Sequence, residues 1–176
     1  MKLNQIMIAA AMSIGLTSGA YAAEAGHGKI TFTGSIIDAP CSVSPDSVDQ
    51  TVDLGQVSSA ALSADGNTGT STPRNFEINL ENCTLVPGQE SVTTTFTGAE
   101  GLDGKLGITG NATGVGIVLT DGASNKIELG QASAPQTLKD GSNTLLFSAY
   151  LQGDGASANI SAGDFSGVAD FMLQYQ

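Results

Sequence analysis

Apolar side chains in this 176-residue chain recur at every second position in short bursts, each bounded by Gly, Ser, Thr, Asn or Asp. A period of two is that of a half-buried strand, and nowhere does the 3.6-residue period of a helix persist for an ordinary helix length. The bursts predict strands over 51–54, 76–81, 91–96, 115–120, 126–129, 145–151 and 168–175, with Phe76, Ile78 and Leu80 directed at a core and Glu77, Asn79 and Glu81 away from it. Segments 63–73, 98–111 and 153–163 carry turn chemistry and are expected to be loops with little capacity for core. A helical turn within 57–62 is the most helix these residues sustain, because Ala60, Ala61 and Leu62 are good helix formers in too short a run. With 23 glycines, no tryptophan and many short strands, the chain reads as an all-β sandwich.

The first 22 residues set the compartment. Lys2 gives a positive start, residues 6–16 an apolar stretch too short to anchor in a bilayer, and Ala20-Tyr21-Ala22 the small residues that precede a signal-peptide cut. Cleavage after Ala22 predicts an exported mature chain of single-domain size, with no second apolar run long enough to cross a membrane. All 17 acidic residues lie beyond the cut, so the formal charge of −11 becomes one unit more negative when Lys2 leaves. That charge favours solubility and argues against nucleic acid or anionic lipid as partners.

Cys41 and Cys83 are an even pair in a chain bound for an oxidising compartment, which predicts a disulfide. Closing the loop between them restricts the unfolded chain by roughly 4 kcal/mol. His27 is the one histidine, so His and Cys together cannot build a tetrahedral zinc site, and no Ser-His-Asp or Cys-His arrangement has a rigid frame. Carboxylate pairs such as Asp46 with Asp49, or Asp164 with Asp170, read as solvated surface of an acidic protein rather than as acid and base. The run Asp65-Gly66-Asn67 lacks EF-hand spacing, and the glycosylation sequons at Asn82, Asn111 and Asn159 are short enough to arise by chance. No enzymatic activity, cofactor or metal is expected.

Two strand-like segments stand at the ends of the mature chain. In residues 28–36, Gly28, Ile30, Phe32, Gly34 and Ile36 share one face, while Lys29, Thr31, Thr33 and Ser35 share the other. Spacing fits equally a first strand folded into its own domain and a strand offered to a neighbouring molecule. Glycine inside a strand weakens it, so Gly34 marks either a bulge or a close approach by another backbone. At the other end, Ala169, Phe171, Leu173 and Tyr175 share a face opposite Val168, Asp170, Met172 and Gln174, and the strand runs out at Gln176. An apolar strand at a sheet edge is an aggregation hazard that native proteins cover.

Several motifs, taken in order, resemble the pilins of the bacterial chaperone–usher pathway, most closely the major subunits of type 1, P and MR/P-like fimbriae. They are Gly28-x-Ile30-x-Phe32-x-Gly34, Asp38-Ala39-Pro40-Cys41, the run from Asp49 to Gln56, Asn82-Cys83, a glycine fourteenth from the end at Gly163, and the penultimate aromatic Tyr175. The resemblance implies an incomplete immunoglobulin-like β-sandwich that lacks its final strand and is completed by a donor strand from another subunit. It implies a signal peptide over 1–22, a donor extension over 23–38 and a pilin domain over 39–176. Gly28, Ile30, Phe32, Gly34 and Ile36 would fill five pockets of a neighbour's groove, with Gly34 at a shallow one. Ala169, Phe171, Leu173 and Tyr175 would line that groove, which a periplasmic chaperone first occupies, gripping the carboxylate of Gln176, before exchange at an outer-membrane usher. The implied protein is a structural subunit of an extracellular fimbria on a Gram-negative cell, supporting adhesion, with identical subunits and tip or adaptor pilins as partners in an open filament. Two alternatives stand beside it: a minor adaptor or terminator pilin, and a secreted monomeric carbohydrate-binding β-sandwich, against which the missing tryptophan counts.

Overall fold

The longest alternating bursts make the longest ladders. The computed structural model describes residues 28–176, so the expected signal peptide and His27 lie outside the described residues. Ten strands follow in order: β1 (Ser42–Val43), β2 (Arg74–Cys83), β3 (Ser91–Gly98), β4 (Thr109–Gly110), β5 (Val115–Asp121), β6 (Lys126–Ile127), β7 (Gln136–Thr137), β8 (Gly141–Gly153), β9 (Phe165–Ser166) and β10 (Ala169–Tyr175). They build a five-stranded sheet in the order β1-β2-β8-β5-β6, a three-stranded sheet β10-β3-β7 and the small pair β4-β9. Every paired strand is antiparallel to its neighbour. The result is a sandwich of the class read from the alternation.

Register puts the apolar rows face to face. Ile78 lies opposite Leu145 and Phe76 opposite Phe147 across β2 and β8, while Leu119 pairs with Ala149 and Ile117 with Leu151 across β5 and β8. In the second sheet Phe96 pairs with Phe171, Thr94 with Leu173 and Val92 with Tyr175. The rings of Phe76, Phe96 and Phe147 bridge the two sheets, their centroids 5.2 to 6.2 Å apart. Each such buried side chain contributes about 1.5–3 kcal/mol, so truncating Phe147 to Ala is the kind of change that costs roughly 3–5 kcal/mol.

Local chemistry sets the turns and the staple. The predicted turn after β5 forms because the Asp121 carboxylate accepts from the backbone N–H of Ala123 and Asn125, at 2.9 and 2.8 Å, and from the Asn125 side-chain amide at 3.0 Å. Burial pushes the Asp121 carboxyl up, but these donors outweigh it and hold the group below its ordinary value of 3.8. Near the end of β2, Asn82 takes a left-handed φ of 52° where the ladder to β8 shifts register, as a bulge requires. Just beyond it Cys83 is bonded to Cys41, both buried, with their Cα atoms 4.1 Å apart, and Thr84 N–H donates to Pro40 O. The bridge therefore fastens the chain entering β1 to the end of β2.

Several expectations need correction. Residues 51–54 form no strand, although Val52 and Leu54 alternate inward; their backbone runs beside an open cleft rather than a neighbouring strand. Residues 28–36 likewise form no strand in the isolated chain. The stretch 98–111 does contribute to the core, since Leu106 exchanges two 2.8 Å backbone bonds with Ile117 and is buried. Lys105 beside it is buried too, 2.7 Å from Asp154 and donating to Gly153 O. The helical turn Ser59–Leu62 lies where predicted, whereas the turn Pro45–Val48, opened by a proline suited to that position, was not read.

Candidate functional site

β10 is hydrogen-bonded to β3 along its whole length, and among the described residues no strand pairs with its other edge. Its inward side chains Ala169, Phe171, Leu173 and Tyr175 are only half-buried, whereas their partners Val92, Thr94 and Phe96 on β3 are fully buried. The difference follows from position: a central strand is covered on both flanks, an edge strand on one. Gln176 continues the pairing, its N–H donating to Ser91 O at 2.9 Å and its carbonyl accepting from the Ser91 N–H at 2.8 Å and Oγ at 3.0 Å.

At the start of that uncovered side lies a cleft of about 1000 Å³, which Ala169 and Asp170 of β10 line. One wall is residues 48–57, in which Val52, Leu54 and Val57 point half-buried inward; the other is the stretch leading into β10, including Phe165 and Gly167. A deeper recess of about 180 Å³ adjoins it, floored by Phe76, Phe96, Ile117 and Leu119 and walled by Ala169 and Phe171. Gly167 keeps the wall thin, since a Cβ there would stand 2.7 Å from Ile117 Cδ1. Thus Ala169 and Phe171 of the inward row on β10 line one recess with Val52 and Leu54, whereas Leu173 and Tyr175 lie beyond both cavities. The signal for that second wall was present as the alternation through Val48, Gln50, Val52 and Leu54.

Burial raises the Tyr175 phenol above its ordinary 10.0. The folded chain thus prefers the neutral ring, and the associated stability is complete below pH 10 and lost as pH rises through the shifted value. Melting temperatures measured against pH are expected to fall more steeply on the alkaline side for the native chain than for Tyr175→Phe.

The front segment has the opposite character. Ile30, Phe32 and Ile36 are 77 %, 89 % and 103 % exposed. Gly34 has no positive φ, and a Cβ built on it meets nothing within 4 Å, so nothing in its own chain calls for glycine. Among the described residues no helix is long and apolar enough to cross a membrane and no group of three or more His, Cys, Asp or Glu stands ready to hold a metal. A cleft with an apolar recess beside an unpaired strand edge is suited to accept a strand.

The model of the family described as "Fimbrial protein" matches residues 30–176. The chain belongs to this fimbrial protein family. It is 57 % identical over 178 residues to the fimbria A protein of Serratia marcescens and 49 % identical over 180 residues to the major MR/P fimbria protein of Proteus mirabilis, each alignment covering 100 % of both chains. Among solved structures, a subunit of a chaperone–usher pilus superposes with a TM-score of 0.75 at 36 % identity, over 86 % of this chain and 97 % of that one. This fimbrial subunit is therefore a structural component of an extracellular fimbria, with the immunoglobulin-like sandwich lacking a strand that such pilins share.

Proposed function

We propose that the subunit polymerises by strand exchange, with residues 23–38 of one molecule as donor and the cleft of residues 39–176 in the next as acceptor. The observation that carries this reading is the unpaired edge of β10 beside a cleft of about 1000 Å³, in a chain that holds Ile30, Phe32 and Ile36 out in solvent. Ile30, Phe32 and Ile36 enter the neighbour's cleft against Ala169, Phe171, Leu173 and Tyr175, while Gly28 and Gly34 occupy its shallower positions. Burying three large apolar side chains contributes on the order of 5 to 9 kcal/mol before ordering costs. Backbone bonds along the new strand add about 1 kcal/mol each. Each molecule donates at one end and accepts at the other, so the contact does not close on itself and the product is an open filament.

Before assembly the same edge is a hazard, and a periplasmic chaperone lending a strand of its own, anchored at Gln176, covers it until an outer-membrane usher exchanges chaperone for donor. The subunit acts as the repeating, major component, in keeping with the name of its Proteus mirabilis relative, and it performs no catalysis.

The test is at Gly34, where no intrachain contact confounds the result. Gly34→Asn places a side chain into a position suited to none, at a cost of about 3 kcal/mol. Filament growth is expected to fall by about a hundredfold, while Thr33→Asn on the opposite row grows normally. Growth of Gly34→Asn at the native rate would reject the assignment.

A further inference from the structure

Residues 98–110 carry a glycine at every third position, Gly98, Gly101, Gly104, Gly107 and Gly110, which leaves few side chains to hold the backbone in register. The middle of the stretch is held by isolated bridges, Leu106 to Glu100 on one side and Leu106 to Ile117 of β5 on the other. A slip of one residue there would turn Leu106 to the outer face of the sheet and bring a neighbour inward. The position is exacting. On the inner face Leu106 joins Ile117 in lining the recess of about 180 Å³. It also stands at the approach to β10, with Cδ1 2.7 Å from where a Cβ on Gly98 would lie and Cδ2 3.4 Å from one on Gly167.

Lys105 takes the outer face. Its stem lies across Gly116, where a Cβ would stand 3.0 Å from the Cβ of the lysine. Its ammonium reaches the end of β8, 2.7 Å from Asp154 Oδ1, and donates to Gly153 O at 3.3 Å. Both partners are withdrawn from water, Lys105 at 3 % and Asp154 at 16 % exposure. No donor among the described residues hydrogen-bonds Asp154 Oδ1, so the pairing is one of charge. A buried ion pair gains little stability over an apolar pair of the same volume, and its best-attested use is to select one register. Slipping by one residue would draw Lys105 off Asp154 and leave a buried charge without its partner, a penalty that an apolar pair does not impose.

Building on the strand-exchange reading, the geometry points to Lys105 and Asp154 as a register lock: their ion pair keeps Leu106 in the wall of the acceptor recess, and so keeps that recess shaped for an apolar side chain of the incoming strand. Lys105 lines neither cavity. It is a positioning residue that acts through Leu106.

The experiment replaces both charges at once in the full mature chain, Lys105→Met with Asp154→Leu, which leaves the net charge unchanged. Denaturant unfolding, amide hydrogen exchange before assembly and filament growth by light scattering are then compared with the native chain. The lock predicts an unfolding midpoint at or above the native one. It predicts that the amides of Leu106 and Ile117, which bond each other's carbonyls, lose protection while those of β2 and β8 keep theirs. Growth is expected to be about tenfold slower. Native protection at Leu106 would overturn the lock, and so would protection lost throughout β2 and β8, which would make the pair a support of the whole sandwich. Protection lost at Leu106 with growth at the native rate would overturn the link to the acceptor recess while leaving strand exchange intact. A native chain that does not assemble would overturn the strand-exchange reading and the lock's part in assembly, and hydrogen exchange would still read whether the pair sets the register.

Discussion

Deletion of residues 23–36 is expected to give a subunit that still accepts a neighbour but adds nothing beyond itself, so that filaments are absent when it is the only chain present. The magnitude follows from what is removed. Ile30, Phe32 and Ile36 leave together, and even the lower estimate of their burial, about 5 kcal/mol, is close to four powers of ten in an association constant. Mixed with native chains, the shortened subunit is expected to end each filament that incorporates it, and electron microscopy of filament length against mixing ratio reads this directly. Length independent of the mixing ratio, or filaments from the deleted chain alone, would remove residues 23–36 from the donor role. A deletion that merely unfolded the subunit would lower the number of filaments without shortening them in proportion.

Loss of the Cys41–Cys83 bridge ranks next in size. Its two ends are 42 residues apart in sequence, and cross-linking a loop of that length restricts the unfolded chain by roughly 4 kcal/mol. A complete small domain has a margin of about 5–15 kcal/mol. A sandwich with one flank of β10 uncovered starts from the lower part of that range, so Cys41→Ala with Cys83→Ala is expected to leave little folded subunit at physiological temperature. Denaturant titration of the reduced and oxidised native chain gives the same quantity without substitution. A reduced chain within about 1 kcal/mol of the oxidised one would mean that the β1–β2 pairing and the Thr84 to Pro40 bond hold this corner without the staple.

How far the sequence discloses such a fold depends on whether a segment's partner is in the same chain. β2, β8 and β10 were legible from alternation, β3 from its β-branched residues and β5 from a continuous buried run, and each finds its neighbour within the chain, so propensity and pairing agree. Of the two-residue strands, β1, β4, β7 and β9 were not, since two residues carry no period, whereas β6 was, because the Asp121–Asn125 turn before it marks the chain's return. Leu106 and Lys105 were missed inside a glycine-rich loop because their burial depends on a distant partner strand and a distant carboxylate. Residues 28–36 and 51–54 have the period of strands and form none, and this is the informative failure. Alternation in 51–54 supplies a cleft wall, and alternation in 28–36 produces exposed apolar side chains, so on the strand-exchange reading both patterns are fitted to a strand from another molecule. The inward row on β10 is legible from its period, while the opposite wall at Val52 and Leu54 became visible only when the tertiary arrangement set it across from Ala169.

The most direct measurement is thermal unfolding of the chain lacking residues 23–36, alone and with a synthetic peptide of residues 23–38. The account predicts a low, broad transition without peptide and, at saturating peptide, a sharp one raised by on the order of 20 °C, with the Gly34→Asn peptide giving little of that rise. A shortened chain that melts cooperatively at high temperature and is indifferent to the peptide would mean that its interior is already complete.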